Sequence, residues 1–388
     1  MNRKFEQRIY IFADIMFHLL PTKKQILFVC FEGRQYGDNP RAIAEYIHSV
    51  RPDIELVWDM SENMDERKIP TYFKKVRHNS IKYAWVKNRS KIIVGNGAGV
   101  MLMQLDGIKN VLRPFIKKKK QFEIATWHGT PLKYSGADIP GSTYTAQGLV
   151  TSADVFISGS DFETDIYRKC FFDIFPIDKL GHSRNDILHH PDKENLKKKL
   201  GIPVNKKVLL YAPTFRAENI EMSGVKQLES LKHGEVFNAL SSKFGGDWVV
   251  VYRFHNLVCQ DKRIKSLSDD GCFINGNQFD DMAEYLAVAD LLVTDYSSSF
   301  FDIVTIKKKC ILWVPDADEY LKDRGLYLDF YNMPFPHAVS YDEFINAICC
   351  FDIDKYHLEL KSFEEELGLL NDGNSTKRLV EKYIYPNI

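Results

Sequence analysis

Eight consecutive residues, Thr126-Trp127-His128-Gly129-Thr130-Pro131-Leu132-Lys133, bring together an imidazole, a residue without a side chain, a hydroxyl, a rigid imino acid and an amine. An imidazole titrates near neutral pH and suits a general base. Gly129 lets a substrate approach the backbone, Pro131 stiffens the loop, and Thr130 and Lys133 offer polar contacts to an acceptor. The stretch follows a short apolar run, Phe122 to Ala125, and reads as a strand ending in a loop. In α/β folds such strand ends are where ligands bind.

Four further stretches carry groups that suit phosphate. Tyr211-Ala212-Pro213-Thr214-Phe215-Arg216 ends one apolar run, and Arg253-Phe254-His255 ends another. Thr294-Asp295-Tyr296-Ser297-Ser298-Ser299 ends a third and opens a helix, where hydroxyls, backbone N–H groups and the positive dipole end favour an anion. Arg324-Gly325 lies in the loop region after a fourth run. Arg216, Arg253 and Arg324 could complete a diphosphate clamp. Each group also has an ordinary role: serines cap helices, a histidine near a strand end packs, and arginines pair with surface acids. The functional reading rests on their gathering at strand ends on one rim of one sheet. Asp316-Ala317-Asp318 resembles a metal-binding D-x-D pair, but it follows Pro315 and opens a helix, where acidic residues are favoured by the dipole. The glycine loops of nicotinamide-cofactor, P-loop and hydrolase-elbow enzymes are absent.

These stretches must be held by elements of alternating kind. Strands are expected at 25–31, 54–60, 91–97, 122–127 and 155–160, with helices at 40–50, 81–89 and 161–171 among them. A charged helix at 193–200 marks the domain boundary region. The alternation then restarts, with strands at 208–213, 248–254, 291–295 and 310–314 and helices at 235–244, 282–289 and 299–306. Helices at 341–351, 358–367 and 376–383 close the chain. Strands alternating with helices at this spacing mean a parallel sheet covered on both faces. The expected architecture is α/β: two Rossmann-like, doubly wound domains with a ligand cleft between them. Their bounds are 25–190 for the acceptor side and 191–375 for the donor side, flanked by an amphipathic segment 1–24 and a helix 376–388.

Composition narrows the partners. There are 52 basic and 52 acidic residues, so no whole-chain field points to nucleic acid. The seven cysteines are scattered without a C-x-x-C pair, which argues against a disulfide framework or a zinc site and fits a reducing cytosol. No apolar run approaches the ~20 residues that span a bilayer. Phe5, Ile9, Phe12, Met16, Leu19 and Leu20 recur at helical spacing between charges. Such a helix either packs on the first domain or lies in a membrane interface. Lys117 to Lys120 add a basic cluster, and the two signals together resemble those that anchor a protein to anionic lipid.

In order and spacing, W-H-G-T-P-L-K, R-N-D, Y-A-P-T-F-R, R-x-H and T-D-Y-S-S resemble the motifs of the CDP-glycerol glycerophosphotransferase family, over roughly residues 25–385. That family builds teichoic acids and related capsular polymers. The resemblance implies a GT-B-like fold of two Rossmann-like domains, with no required metal and no cofactor. It implies transfer of a polyol phosphate from a CDP donor to the hydroxyl of a lipid-linked or polymeric acceptor, with release of CMP. It puts the family's essential histidine at His128, its second histidine at His255 and its phosphate-binding serines at Ser297 and Ser298. It also implies a cytoplasmic enzyme on the inner face of the membrane. Three positions depart from the family pattern: Asn256 and Ser183 stand where proline is usual, and a P-G-P-like segment reads Pro334-Phe335-Pro336. Glycerol phosphate is the expected group transferred. The alternatives are ribitol phosphate, a nucleotide-sugar glycosyltransferase releasing UDP or GDP, and a non-catalytic module binding nucleotide or lipid. Two histidines in matching motifs count against the last.

Overall fold

The computed structural model describes residues 3–97, 102–104, 118–146, 149–214, 224–254, 272–323 and 325–388. The chain divides into two compact units. Unit 1 comprises Met1–Thr130, Ser135–Asp186 and Leu369–Ile388, and unit 2 comprises Pro131–Tyr134 and Ile187–Gly368.

In unit 1 the strands are β1 (Lys23–Val29), β2 (Glu55–Met60), β3 (Lys74–Arg77), β4 (Ser90–Gly95), β5 (Leu102–Gln104), β6 (Phe122–Ala125), β7 (Leu149–Thr151), β8 (Val155–Ser158) and β9 (Ile177–Lys179). Seven of them form a parallel sheet in the order β3-β2-β1-β4-β6-β8-β9, while β5 and β7 pair as a small antiparallel ribbon. Unit 2 has β10 (Lys207–Tyr211), β11 (Trp248–Tyr252), β12 (Phe273–Asn275), β13 (Leu291–Thr294), β14 (Lys309–Trp313) and β15 (His337–Ala338). They form a second parallel sheet in the order β12-β11-β10-β13-β14-β15. Both sheets start in the middle, build outward one way, then return to build the other way. Each therefore has a switch point, between β1 and β4 in unit 1 and between β10 and β13 in unit 2. The α/β expectation of two doubly wound sheets holds.

All nine expected strands are present. The four main-sheet strands missing from the sequence reading, β3, β9, β12 and β15, are the edges of the two sheets. Edge strands cover less core, so Lys74–Arg77 and Ile177–Lys179 carry no continuous apolar run. The central strands do: Ile26, Leu27, Phe28 and Val29 are all fully buried, as are Leu291 and Leu292.

The C-terminal segment, expected as a separate helix, belongs to unit 1. Leu379, Val380 and Ile384 enter the core formed by Ile26, Phe28, Trp58 and Ile92. The helix beginning at Ser375 is fixed there by Asp186, whose carboxylate accepts the backbone N–H groups of Ser375 and Thr376 at 3.0 and 2.8 Å. Unit 1 accordingly ends at Asp186, four residues before the expected boundary, and regains the chain at Leu369.

The N-terminal helix, Arg3–Phe17, packs on unit 1 through one face and leaves apolar side chains exposed beyond it. Tyr10 packs on the core beside Tyr83, Phe17 meets Trp85 edge-on, and Asp14 bonds Lys87 and Asn88. Phe12, Met16 and Leu19 remain exposed at 67%, 52% and 86%. Of the basic cluster, Lys117 lies outside the described residues. Lys118 is buried, and its amine donates to the carbonyls of Phe17, Leu20 and Asn88. That amine neutralises helix ends rather than facing solvent, and Lys119 and Lys120 are exposed.

Candidate active site

His128 stands at the switch point of the first sheet. The loop after β4 contributes Asn96, whose backbone carbonyl lies 3.0 Å from His128 Nδ1 and whose side-chain oxygen accepts the N–H of Phe31 after β1, at 2.8 Å. A carbonyl only accepts, so Nδ1 carries the proton and Nε2 keeps its lone pair. The ring lies between Phe31 and Trp127, with centroids 5.5 and 4.5 Å away, and the residue keeps part of its surface exposed. Crowding by these groups removes water from around the ring, and this desolvation lowers its pKa below the ordinary histidine value, against the pull of the Asn96 carbonyl. The imidazole is thus neutral and able to accept a proton at neutral pH.

The loop that presents His128 is strained and externally held. Trp127 has φ of +51°, a left-handed conformation that costs on the order of 1–3 kcal/mol for a bulky residue. Its indole is gripped by Phe156, Tyr167 and Phe171. Asn39 donates from its amide to the carbonyls of Thr126 and Trp127, at 3.3 Å each. On the far side, Glu163 is completely buried. One of its oxygens accepts Gly159 N–H at 2.6 Å, His182 Nε2 at 2.9 Å and the Thr130 hydroxyl at 3.4 Å. The other accepts the Tyr167 hydroxyl at 2.5 Å, and that hydroxyl lies 3.2 Å from the carbonyl of Gly129. Burial pushes the carboxyl pKa up, but the His182 ring and these hydrogen bonds outweigh it, so Glu163 stays ionised.

The segment 181–186, containing the R-N-D motif, is built into the same structure. Gly181 has φ of +84°, and a Cβ there would meet Ser375 Oγ at 2.2 Å. His182 reaches Glu163, Arg184 reaches Asp38 at 3.3 Å, and Asp186 caps the C-terminal helix.

The P-L-K end of the opening stretch has a different address. Pro131–Tyr134 is part of unit 2, where it forms an antiparallel bridge through Lys133 and Leu326. Tyr134 N–H donates to Gly325 at 2.9 Å and Tyr327 N–H to Leu132 at 2.9 Å. A Cβ on Gly325 would lie 2.0 Å from the Tyr134 ring, so only glycine fits this approach. The Lys133 amine lies 5.4 Å from the ring centre of Tyr320, which stacks on Tyr296 at 3.8 Å. Lys133, expected on the acceptor side, therefore stands in the unit expected to hold the donor, because its backbone pairs with 325–327.

At the switch point of the second sheet, the loops after β10 and β13 are tied together. Asp295 accepts Thr214 N–H on both carboxylate oxygens, at 2.9 and 3.0 Å, and the Thr294 hydroxyl donates to the Ala212 carbonyl at 2.6 Å. Ser297 and Ser299 face one another at 3.0 Å between hydroxyl oxygens. Ser298 precedes the helix Ser299–Val304 without capping it through its side chain. The helix has only six residues, so hydroxyls and loop N–H groups, more than a long dipole, define this loop. Arg253 bonds the carbonyls of Gly276, Phe279 and Asp280 at 2.6–2.7 Å. This makes it a brace of that loop. His255, Arg216 and Arg324 lie outside the described residues, as does Asn256. Phe335 of the Pro-Phe-Pro segment is buried against Phe300 and Phe363, a packing role. Asp316 is buried and accepts from Tyr296 at 3.3 Å. Among the described residues no cluster of three or more His, Cys, Asp or Glu side chains is arranged to hold a metal ion.

The structure thus brings His128, Gly129 and Thr130 together in unit 1, and Thr294, Asp295, Ser297, Ser298, Ser299 and Lys133 in unit 2. Residue patterns alone missed Asp38, Asn39, Asn96, Glu163, Tyr167 and His182. Asp38-Asn39-Pro40 carries a signal, a polar pair ahead of a helix-opening proline, that points as readily to ordinary capping. For Glu163 and Tyr167, spaced at i and i+4 on one helix, no local signal marks a buried charge.

The sequence profile of the family described as CDP-Glycerol:Poly(glycerophosphate) glycerophosphotransferase matches residues 11–385. The chain is 29% identical over 402 residues to the teichoic acid poly(glycerol phosphate) polymerase of Bacillus spizizenii, covering 97% of this chain and 96% of that one. It is also 29% identical over 403 residues to the polymerase of the same description from Bacillus subtilis, covering 98% of this chain and about half, 51%, of that relative's length. A solved structure of the wall teichoic acid polymerase TagF, in a variant soaked with CDPG, superimposes with a TM-score of 0.76 at 25% identity, covering 97% of this chain and 91% of that one.

Proposed function

Because the chain belongs to the CDP-glycerol:poly(glycerophosphate) glycerophosphotransferase family, we propose that it transfers glycerol phosphate from CDP-glycerol to an acceptor hydroxyl in the synthesis of a teichoic acid-like polymer. The observation that carries this reading is His128 at the unit 1 switch point. Its Nδ1 is committed to Asn96, which leaves Nε2 with a lone pair on a residue that is partly exposed. In the proposed reaction Nε2 takes the acceptor O–H proton as the oxygen attacks the phosphorus bearing glycerol. The bond from that phosphorus to the bridging oxygen breaks, and CMP leaves. Transfer of this kind needs alignment, charge stabilisation and a proton acceptor more than covalent chemistry. The donor's diphosphate belongs on unit 2, at the Ser297–Ser299 loop, with Lys133 close to the Tyr320–Tyr296 stack beside it. By family resemblance His255 contributes there too, and Arg216 and Arg324 are the cations expected from the sequence to complete the diphosphate contacts. Asp295 orients the loop through Thr214 rather than acting as a base. No metal and no cofactor enters the scheme.

The acceptor in this reading is a lipid-linked or polymeric polyol phosphate, met at the inner face of the membrane. The exposed Phe12, Met16 and Leu19 stripe, with Lys119 and Lys120 as basic companions, supports contact with an anionic membrane surface. No helix among the described residues is long and apolar enough to cross a membrane.

The test is CMP release from CDP-glycerol by His128→Ala, in protein shown to be folded by circular dichroism. The reading expects turnover to fall by at least about 100-fold, as for loss of a general base, with CDP-glycerol still bound. Near-normal turnover by a folded His128→Ala protein overturns it.

A further inference from the structure

Two opposite charges from distant parts of the sequence meet beside His128. Asp38 opens the helix Asp38–Val50 with φ of +60°, and Arg184 lies in the R-N-D segment. Their side chains are 3.3 Å apart and only 12% and 8% exposed. Asn39 joins the two loops: its amide donates to Thr126 and Trp127 on the His128 loop, and its side-chain oxygen accepts Arg184 N–H at 3.0 Å. Asp38 is in a left-handed conformation that few residues other than Gly, Asn and Asp adopt readily. A buried ion pair contributes little net stability beyond that of an apolar replacement. A special backbone conformation and burial combined at one charged pair next to a titrating ring therefore call for a functional account.

We infer that Asp38 and Arg184 are positioning residues of the transfer reaction, an opposed charge pair that governs how readily His128 takes the acceptor's proton while Asn39 fixes the loop that carries it. The inference rests on His128 being the base. Among the described residues, the charged groups that act most on the ring are Asp38, Arg184 and Glu163. Asp38 and Glu163 favour the imidazolium and Arg184 opposes it. During transfer the ring gains a positive charge. Asp38 attracts that charge, and Arg184 keeps the resting ring neutral. Together the two charges set the ring's proton affinity between the values that either alone would give.

The two charges make signed predictions that a purely structural role does not. Arg184→Met should raise the pKa of His128, and Asp38→Asn, which tolerates the same backbone, should lower it, each by about half a pH unit or more. The double variant should return near the wild-type value, and Arg184→Lys, which keeps the charge, should leave it little changed. The readout is NMR titration of the His128 ring in the intact protein, assigned by its loss in His128→Asn. A second readout is the acidic limb of kcat/KM, which should move up in Arg184→Met and down in Asp38→Asn. Shifts in one direction for both singles, or no shift in either, overturn the inference. Because the titration does not depend on turnover, that result stands apart from failure of the base assignment, which only an active His128→Ala protein would show. If a single variant does not fold, the double and Arg184→Lys still decide the matter: a double-variant titration displaced from wild type, or a displaced Arg184→Lys titration, is the overturning result.

Discussion

Changing Tyr167 to Phe removes one oxygen from a sealed site and leaves the ring's contacts with Trp127, Phe156 and Phe171 in place. The hydroxyl donates to ionised Glu163 at 2.5 Å and approaches the Gly129 carbonyl at 3.2 Å. One proton cannot serve both fully, and the shorter contact to a charge takes it. A hydrogen bond to a charged group contributes about 1.5–3 kcal/mol, and no water reaches this buried carboxylate to replace it. A loss of about 2 kcal/mol in unfolding free energy is therefore expected near neutral pH. The sign of the pH dependence follows from Glu163, whose folded pKa is depressed. Burial opposes that depression, while His182, Tyr167 and Gly159 produce it. Such a group stabilises the fold above its unfolded pKa, and the contribution disappears as pH falls through the folded pKa. The Tyr167→Phe deficit should be full near neutral pH and shrink as pH drops through the carboxylate range. Urea denaturation at two pH values, followed by intrinsic fluorescence and circular dichroism, measures it. Turnover should fall several-fold through loosening of Gly129, with donor affinity unchanged, since the donor is proposed to bind unit 2. A deficit below about 0.5 kcal/mol near neutral pH, or one that does not change with pH, would refute the claim that this network holds the His128 loop.

Other outcomes follow from single contacts. Gly325→Ala should destabilise unit 2 by about 1–3 kcal/mol through collision with the Tyr134 ring, and Tyr134→Ala in the same chain should recover much of the loss in thermal unfolding. Asp295→Ala strands the Thr214 N–H and should weaken CDP-glycerol binding by calorimetry, whereas Asp295→Asn keeps one acceptor and should be milder. Lys308 donates to the carbonyls of Leu286 and Ala287 in a buried site, and this burial lowers its pKa to about 7. The folded protein then binds fewer protons than the unfolded chain above that pH. Stability should rise from about pH 7 toward the ordinary lysine pKa, and Lys308→Met should flatten that rise in urea titrations. Phe12→Asp with Leu19→Asp should abolish flotation with anionic vesicles while leaving the fold intact, since both side chains point away from the core; retained flotation would make the stripe irrelevant to membranes.

Much of this was legible in the residue order, and the pattern of what was not is physical. Central strands such as Ile26–Val29 announce themselves because both faces are covered and every position is apolar. Edge strands such as His337–Ala338 do not, since one side has no partner and packing selects less. His128 and the serine loop were visible as residue types at strand ends. Their standing at two switch points was not, because strand order is a property of the sheets. The same limit hid Glu163 and Tyr167: the spacing shows that they share a helix face, and nothing local shows that the face is sealed against Gly129. Arg253 shows a structural role that residue type does not announce. Its position at a strand end points to phosphate, and only the fold shows that the loop 276–280 also presents three carbonyls to it. Lys133 was assigned by proximity to His128 in sequence, and the backbone pairing of 132–134 with 325–327 carries it into the other unit.

The central claim is tested most directly by a donor panel. CDP-glycerol, CDP-ribitol and UDP-sugars would each be offered to the purified chain, with and without a lipid-linked glycerol phosphate acceptor, and nucleotide release followed. The account predicts CMP from CDP-glycerol, dependent on acceptor and lost in His128→Ala. Preferential turnover of CDP-ribitol, or release of UDP in place of CMP, would contradict it.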